Sequence, residues 1–307
     1  MGTINSYFFE RPFPTLVDVP PNDLRYKEIL EEKLNKKGYS VNNIKRIIVT
    51  HPHFDHFGCA KWIVEQSEAE VYALHGGAKY LEDFETELSA DFSYYRDFLK
   101  KSGVPKEPDA YLGDFYQWAK TQGCNVRVSR HLEDGDHIEL ESTLWKVVHV
   151  PGHTPWCIML WEPSRRIALT GDFLIKEITS NAVIQRPHKL VPEYKSLNAY
   201  ISSLKKVKSM ALARALPGHG DIIENPTTQI KGILGFIQER KQRVLDLLTT
   251  GPQTPFQLME ALFPNIPDWE VMLGISEIIG YIELLLDEGS VCSQDGTPIL
   301  FSPAPRT

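Results

Sequence analysis

Four short apolar runs in this chain end directly in histidine or aspartate. "IIVT" leads into His51, His53, Asp55 and His56. "VHVP" leads into Gly152-His153, "IALT" into Gly171-Asp172, and "ARALP" into Gly218-His219. The chain has only ten histidines. If these side chains act as one group, the fold must bring four strand ends to one place.

The spacing of the first cluster carries chemistry. Residues two apart in extended chain lie on the same side, so His51 and His53 project together. Asp55 and His56 follow where a helix starts and reach a second point a few ångströms away. Neutral imidazole and carboxylate are the donors that a zinc-like ion takes at a hydrolytic site. One cluster cannot complete a four-coordinate shell, and a pair of ions needs a bridge. His153, Asp172 and His219 are the candidates to supply the rest. Small neighbours, among them Gly152, Gly171, Gly218 and Gly220, permit turns that aim a side chain outward.

The chain has 307 residues, 42% of them hydrophobic, which suits one large domain plus a small one. A net charge of −7 gives no global attraction for nucleic acid or an anionic membrane. No apolar run approaches the ~18–20 residues that span a bilayer. The N-terminal stretch lacks the layout of a signal peptide. Met1-Gly2 followed by Ser6 fits a myristoylation pattern only formally. Cys59, Cys124, Cys157 and Cys292 form no CxxC pair, so a reducing cytoplasm is expected.

Strand and helix patterns alternate in the first half: "INSYFF", "TLVDV", the helix "DLRYKEILEEKLNKK" stopped by Gly38, "IKRIIVT", the helix "CAKWIVEQS", then "AEVYAL". Residues 79–122 read as a helical insertion crowded with aromatics: Tyr80, Phe84, Phe92, Tyr94, Tyr95, Phe98, Tyr111, Phe115, Tyr116 and Trp118. Strands return until about residue 217. From 231 to 307 the pattern is three helices and a hairpin, the plan of a winged helix. Its would-be recognition helix is apolar and anionic, and Val244 to Pro305 contains no Lys or Arg. Such a surface repels phosphates, so the module reads as a packing or dimerisation element rather than a DNA reader.

The ordered set HxHxDH, GH, GD and GH at strand ends resembles the metallo-β-lactamase superfamily over roughly residues 3–230. The resemblance implies an α/β fold, an αββα sandwich with two metals at the sheet edges, here a catalytic domain over 1–230 followed by the C-terminal module. It implies that His51, His53 and His153 hold one metal, that Asp55, His56 and His219 hold the other, and that Asp172 bridges them. Asp18 matches the family's aspartate that orients a ligand. Two zinc ions are expected, with iron or manganese as alternatives. The family's Thr-Gly after that aspartate is replaced here by Val19-Pro20. Little sequence precedes "INSYFF" to supply the customary first strand. Asp172 stands where many true β-lactamases carry Cys, which argues against antibiotic hydrolysis. The pieces "GDFLIKEITSNAVI" and "IQERKQRVLDLL" resemble a clade that holds β-lactamase-like endoribonucleases and, more distantly, hydroxyacylglutathione hydrolases.

The expected activity is metal-dependent hydrolysis of a small ester, thioester or lactone with an apolar part, with Asp55 as proton shuttle. The aromatic insertion suits a cap over a greasy group. An endoribonuclease is the alternative, disfavoured by the acidic insertion. A mononuclear-iron persulfide dioxygenase or a non-catalytic ligand binder is the third reading. Partners reduce to a small-molecule substrate and a second copy of the chain, with no DNA or membrane and RNA disfavoured. His75, His131, His137 and His149 read as solvated or hydrogen-bonded, His188 as outside the cleft, and Cys59 and Cys157 as small buried residues near the site.

Overall fold

A computed structural model describes residues 4–176 and 182–305. Met1, Gly2 and the middle of "GDFLIKEITSNAVI" lie outside the described residues. Two five-stranded sheets face each other. The first holds β1 (Tyr7–Phe9), β2 (Thr15–Val17), β3 (Arg46–Ile48), β4 (Glu70–Leu74) and β5 (Arg130–Leu132), in that order. β1 runs antiparallel to β2, and the other pairs are parallel. The second holds β6 (His137–Leu140), β7 (Thr143–His149), β8 (Ile158–Glu162), β9 (Ile167–Gly171) and β10 (Arg214–Pro217). These are antiparallel neighbours except β10, which runs parallel to β9. "INSYFF" therefore supplies the edge strand of the first sheet.

Parallel strands with helices outside are buried on both faces and lose strict alternation. β3 shows this, since Ile47 and Ile48 are both fully buried. Ile48 points inward, with Val17, Leu74 and Leu132, against Trp145, Val147, Ile158 and Leu160 of the second sheet. Ile47 points outward, with Val71 and Ala73, against the helices α1 (Leu24–Asn35), α2 (Phe54–Phe57) and α3 (Ala60–Ser67). Between β4 and β5 lie α4 (Ala78–Glu82), α5 (Phe84–Ser102) and α6 (Asp109–Gln122), the helical insertion. Beyond β9 come α7 (Ser196–Ser209), then α8 (Pro226–Leu248), α9 (Pro255–Leu262), α10 (Val271–Asp287) and the hairpin β11 (Val291–Gln294) to β12 (Leu300–Pro303).

The outer face of the second sheet, α7, the insertion and the C-terminal helices share one apolar core. The division expected at 230/231 falls inside α8, a single 23-residue helix. Its apolar stripe, Ile230, Ile233, Ile237 and Val244, is continuous across that point. α10 lies among α5, α6, α7, α8 and α9. Ile275, Ile278, Tyr281, Ile282 and Leu285 on it are buried. A helix this apolar on most of its surface is an interior element.

The C-terminal elements also hold the insertion from behind. Lys106 pairs with Asp268 at 2.7 Å, and Ile299 donates its backbone N–H to Lys101 O at 2.9 Å. Ile184 and Arg186 are held between the two: Ile184 N–H donates to Ser276 Oγ on α10, and Arg186 pairs with Asp91 (2.8 Å) and Glu87 on α5.

Candidate metal centre

The C-terminal ends of β2, β3, β9 and β10 and the connection from β7 to β8 open on one edge of the sandwich. Each carries at least one of the expected side chains, and β3 leads into four of them. Beyond β3 the chain bends at Thr50, His51 and Pro52, and His53, in extended conformation, precedes the short helix bearing Asp55 and His56. The His153 turn is joined to this loop by Ile158 N–H donating to Thr50 O at 2.9 Å. Thr154 N–H donates to Cys157 Sγ at 3.3 Å, and Tyr194 and Ser203 hydroxyls donate to Gly152 O and Pro151 O. Asp172 follows Gly171, whose φ of +48° carries the chain out of β9; a Cβ there would lie 2.4 Å from Thr50 Oγ1.

All seven expected donors converge. The donor atoms of His51, His53 and His153 lie within 4.8 Å of one another, and the same holds for Asp55, His56 and His219. A third set, His51, His56 and Asp172, takes one residue from each and adds the aspartate between them. His153 Nε2 is 2.9 Å from His53 Nδ1. His219 Nε2 is 3.3 Å from Asp172 Oδ2 and 3.4 Å from Asp55 Oδ2. His56 Nε2 is 3.3 Å from Asp172 Oδ1.

Asp18 stands behind the donors. Its Oδ2 accepts from His56 Nδ1 at 2.8 Å and from Thr50 Oγ1 at 2.8 Å, and its Oδ1 accepts from Thr50 N–H at 2.8 Å. The backbone at Asp18 has φ +58°, a left-handed conformation that aspartate tolerates better than most residues. Val19 N–H donates to His56 O at 2.9 Å, so Val19-Pro20 is tied to the ligand helix. Thr50 escaped the sequence reading. Its hydroxyl also contacts His51 Nδ1 at 3.1 Å. Nothing distinguishes it in sequence from any β-branched residue ending a strand.

The donor set fits divalent metal. His51 Nε2 is buried and has no hydrogen-bond partner among the described residues. A buried polar atom left so is costly unless something absent from the protein itself meets it. Asp18, Asp55 and Asp172 are three carboxylates at most 9% exposed. Without cations, protons must supply the compensating charge. Burial alone would lower His56, but Asp172, Asp18 and Asp55 outweigh it and hold the imidazole well above its ordinary range. His219 is likewise raised to about 10, burial opposing and hydrogen bonds from Asp172 and Asp55 prevailing. Burial pushes Asp172 and Asp55 up, and the surrounding imidazoles, His56 foremost, outweigh it, so Asp172 sits well below the usual carboxylate range and Asp55 at about 2. On the other side burial, with neighbouring imidazoles, lowers His51 well below its ordinary value and His53 to about 3. Neutral imidazoles and ionised carboxylates are the ligand forms that a divalent cation takes.

The remaining expectations have definite places. His75 Nδ1 and His131 Nδ1 lie 3.0 Å apart at the surface, and His149 Nε2 contacts Pro155 O at 2.7 Å. His188 stacks edge-on against Trp156. All four cysteines are free, with Cys59 and Cys157 buried. No helix among the described residues is long and apolar enough to cross a membrane. Phe54, between two candidate ligands, meets the insertion: its ring is 5.3 Å from Trp118 and 6.4 Å from Phe115 on α6.

A family profile described as the metallo-beta-lactamase superfamily matches residues 15–219. The "Probable metallo-hydrolase YqjP" of Bacillus subtilis is 25% identical over 308 residues, covering 100% of this chain and 95% of that protein. The "Atrochrysone carboxyl ACP thioesterase" of Aspergillus fumigatus is 26% identical over 148 residues, covering 44% of this chain and 42% of that one. A crystal structure of a metallo-beta-lactamase family protein from Thermus thermophilus superposes with a TM-score of 0.81 at 22% identity, covering 98% of this chain and 93% of that one. Fold, ligand-rich strand edge and profile agree: the chain belongs to the metallo-beta-lactamase superfamily and is a metal-dependent hydrolase.

Proposed function

We propose that the chain is a dinuclear metal-dependent hydrolase of a small ester, thioester or lactone that carries an apolar group. His51, His53 and His153 would hold one zinc, Asp55, His56 and His219 a second, and Asp172 would lie between them. Such a cation pair, when bound, lowers the pKa of water to about 7 and polarises the substrate's reacting oxygen. The protein's part is to hold these donors still and in the right protonation state. Asp18 fixes His56 through Nδ1, leaving Nε2 for the cation. Asp55 is ionised at neutral pH and would take up a proton and pass it toward the leaving group.

The observation that carries the substrate class is the aromatic continuity from Phe54 to the insertion. Phe115 and Trp118 are each 39% exposed, and their rings lie 5.5 Å apart beside a ligand-bearing helix. Half-exposed aromatics packed on the helix that carries Asp55 and His56 favour an apolar group on the substrate over a polyanion. The similarity to an acyl-carrier thioesterase supports the thioester member of the class. We read the C-terminal module as winged-helix-like in plan and structural in role, and the free cysteines as those of a cytoplasmic protein.

Zinc-loaded protein should be assayed against acyl-CoA thioesters, aryl esters and lactones, with single-stranded RNA alongside and Asp172→Asn as control. Turnover of one acyl class, lost in the variant, is expected. Cleavage of RNA alone, or silence across the panel with two metals bound, would overturn the proposal.

A further inference from the structure

His219 is the candidate ligand farthest along the chain, and β10 does not hold it. The β9–β10 ladder shifts register between Leu216 and Pro217, and Gly220 has φ +70°. The turn carrying His219 has therefore left the regular hydrogen-bond ladder. Gly218 N–H donates to Gly171 O at 2.8 Å, and the other end of the chain adds further bonds. Asn5 N–H donates to Gly218 O at 2.8 Å, and Ile4 makes a β-bridge with His219. Asn5 Nδ2 donates to Pro217 O at 3.0 Å and to Gly220 O at 2.8 Å. Tyr7 hydroxyl adds a bond to Pro217 O at 2.7 Å. One side-chain amide thus spans the turn, bonding a carbonyl on each side of His219.

The space around that turn allows little error. A Cβ at Gly218 would sit 2.4 Å from Asp172 Oδ1 and 2.6 Å from His56 Cε1. A small shift of residues 217–220 would therefore displace His219 from the two carboxylates it faces, or drive the backbone into Asp172. The set His51, His53 and His153 is built from other loops and makes no use of this turn.

We propose that Asn5 is a positioning residue for the second cation. Its amide sets the His219 turn and thereby the affinity of the Asp55, His56 and His219 position, leaving the other position untouched. The inference rests on the dinuclear reading above.

The test is a zinc titration of full-length protein against a chromophoric chelator, in wild type, Asn5→Ala and Asn5→Asp. Aspartate keeps the shape of asparagine but offers two carbonyl oxygens a carboxylate in place of two donors. Wild type should bind two ions. Both variants should keep one at wild-type affinity and bind the other about 10- to 100-fold more weakly, as loss of an outer hydrogen-bond partner does elsewhere. A merely space-filling role predicts that Asn5→Asp behaves as wild type, and that result overturns the assignment. So does a parallel fall in both affinities, or no change in either variant. A single ion on wild type would instead sink the dinuclear reading itself, and the assignment with it. Thermal melting of the metal-free proteins, expected to agree within a few degrees, separates a metal effect from a failure to fold.

Discussion

His56 Nδ1 lies 2.8 Å from Asp18 Oδ2, and both groups are almost wholly buried. This pair couples the end of β2 to the ligand helix and selects the tautomer that leaves Nε2 available. Asp18→Asn keeps a side chain that tolerates the left-handed backbone at this position. It removes the charge that steadies the imidazole. Metal affinity should fall by about 10- to 100-fold with the far-ultraviolet circular dichroism spectrum unchanged. Competition titration with a chelator reads the fall.

Gly218→Ala tests the closeness of the two sheets at this edge. The added methyl would overlap Asp172 Oδ1 and His56 Cε1. Overpacking of this kind costs about 1–3 kcal/mol. Stability measured by urea denaturation should drop by that amount, and metal content after purification should fall below that of wild type.

The aromatic rim gives a specificity prediction. Phe115 and Trp118 are half-exposed, so replacing both with alanine should leave the fold intact. Turnover of long-chain or aryl substrates should fall roughly tenfold or more in kcat/KM, while that of acetyl analogues changes little. Equal losses on both substrate types would remove the rim from the account.

Glu283 on α10 supplies a pH dependence remote from the metals. Burial raises its carboxyl to about 7, Asp287 adding to the effect and Lys195 opposing it. The folded chain therefore keeps a proton that the unfolded chain, with an ordinary pKa near 4.3, releases. Stability from this group is full below about pH 4 and is lost as pH rises through 7, by at most about 4 kcal/mol. Glu283→Gln should melt close to wild type at pH 5 and at a higher temperature than wild type at pH 8. Differential scanning calorimetry at the two pH values checks it.

Much of the centre was legible because its residues sit at strand ends and their types are rare. His51 and His53 declare themselves by spacing, and Asp172 and His219 by following apolar runs into glycine turns. The supporting residues were not legible. Asn5 meets Pro217 across 212 residues of sequence, through backbone carbonyls that any residue could present. Thr50 looks like an ordinary strand residue. The split at 230/231 follows a change of pattern, from strands to helices, and α8 runs across it. A helix such as α8 serves both sides of it, and burial of α10 against α5, α6 and α7 is a tertiary fact that its own periodicity cannot specify.

The central claim is that two cations share this strand edge, with Asp172 between them. Crystals grown with zinc and measured on either side of its absorption edge would locate them. The account predicts two anomalous peaks, one among His51, His53 and His153, the other among Asp55, His56 and His219, with Asp172 touching both. A single peak, or zinc bound elsewhere with these donors left facing one another, would contradict it.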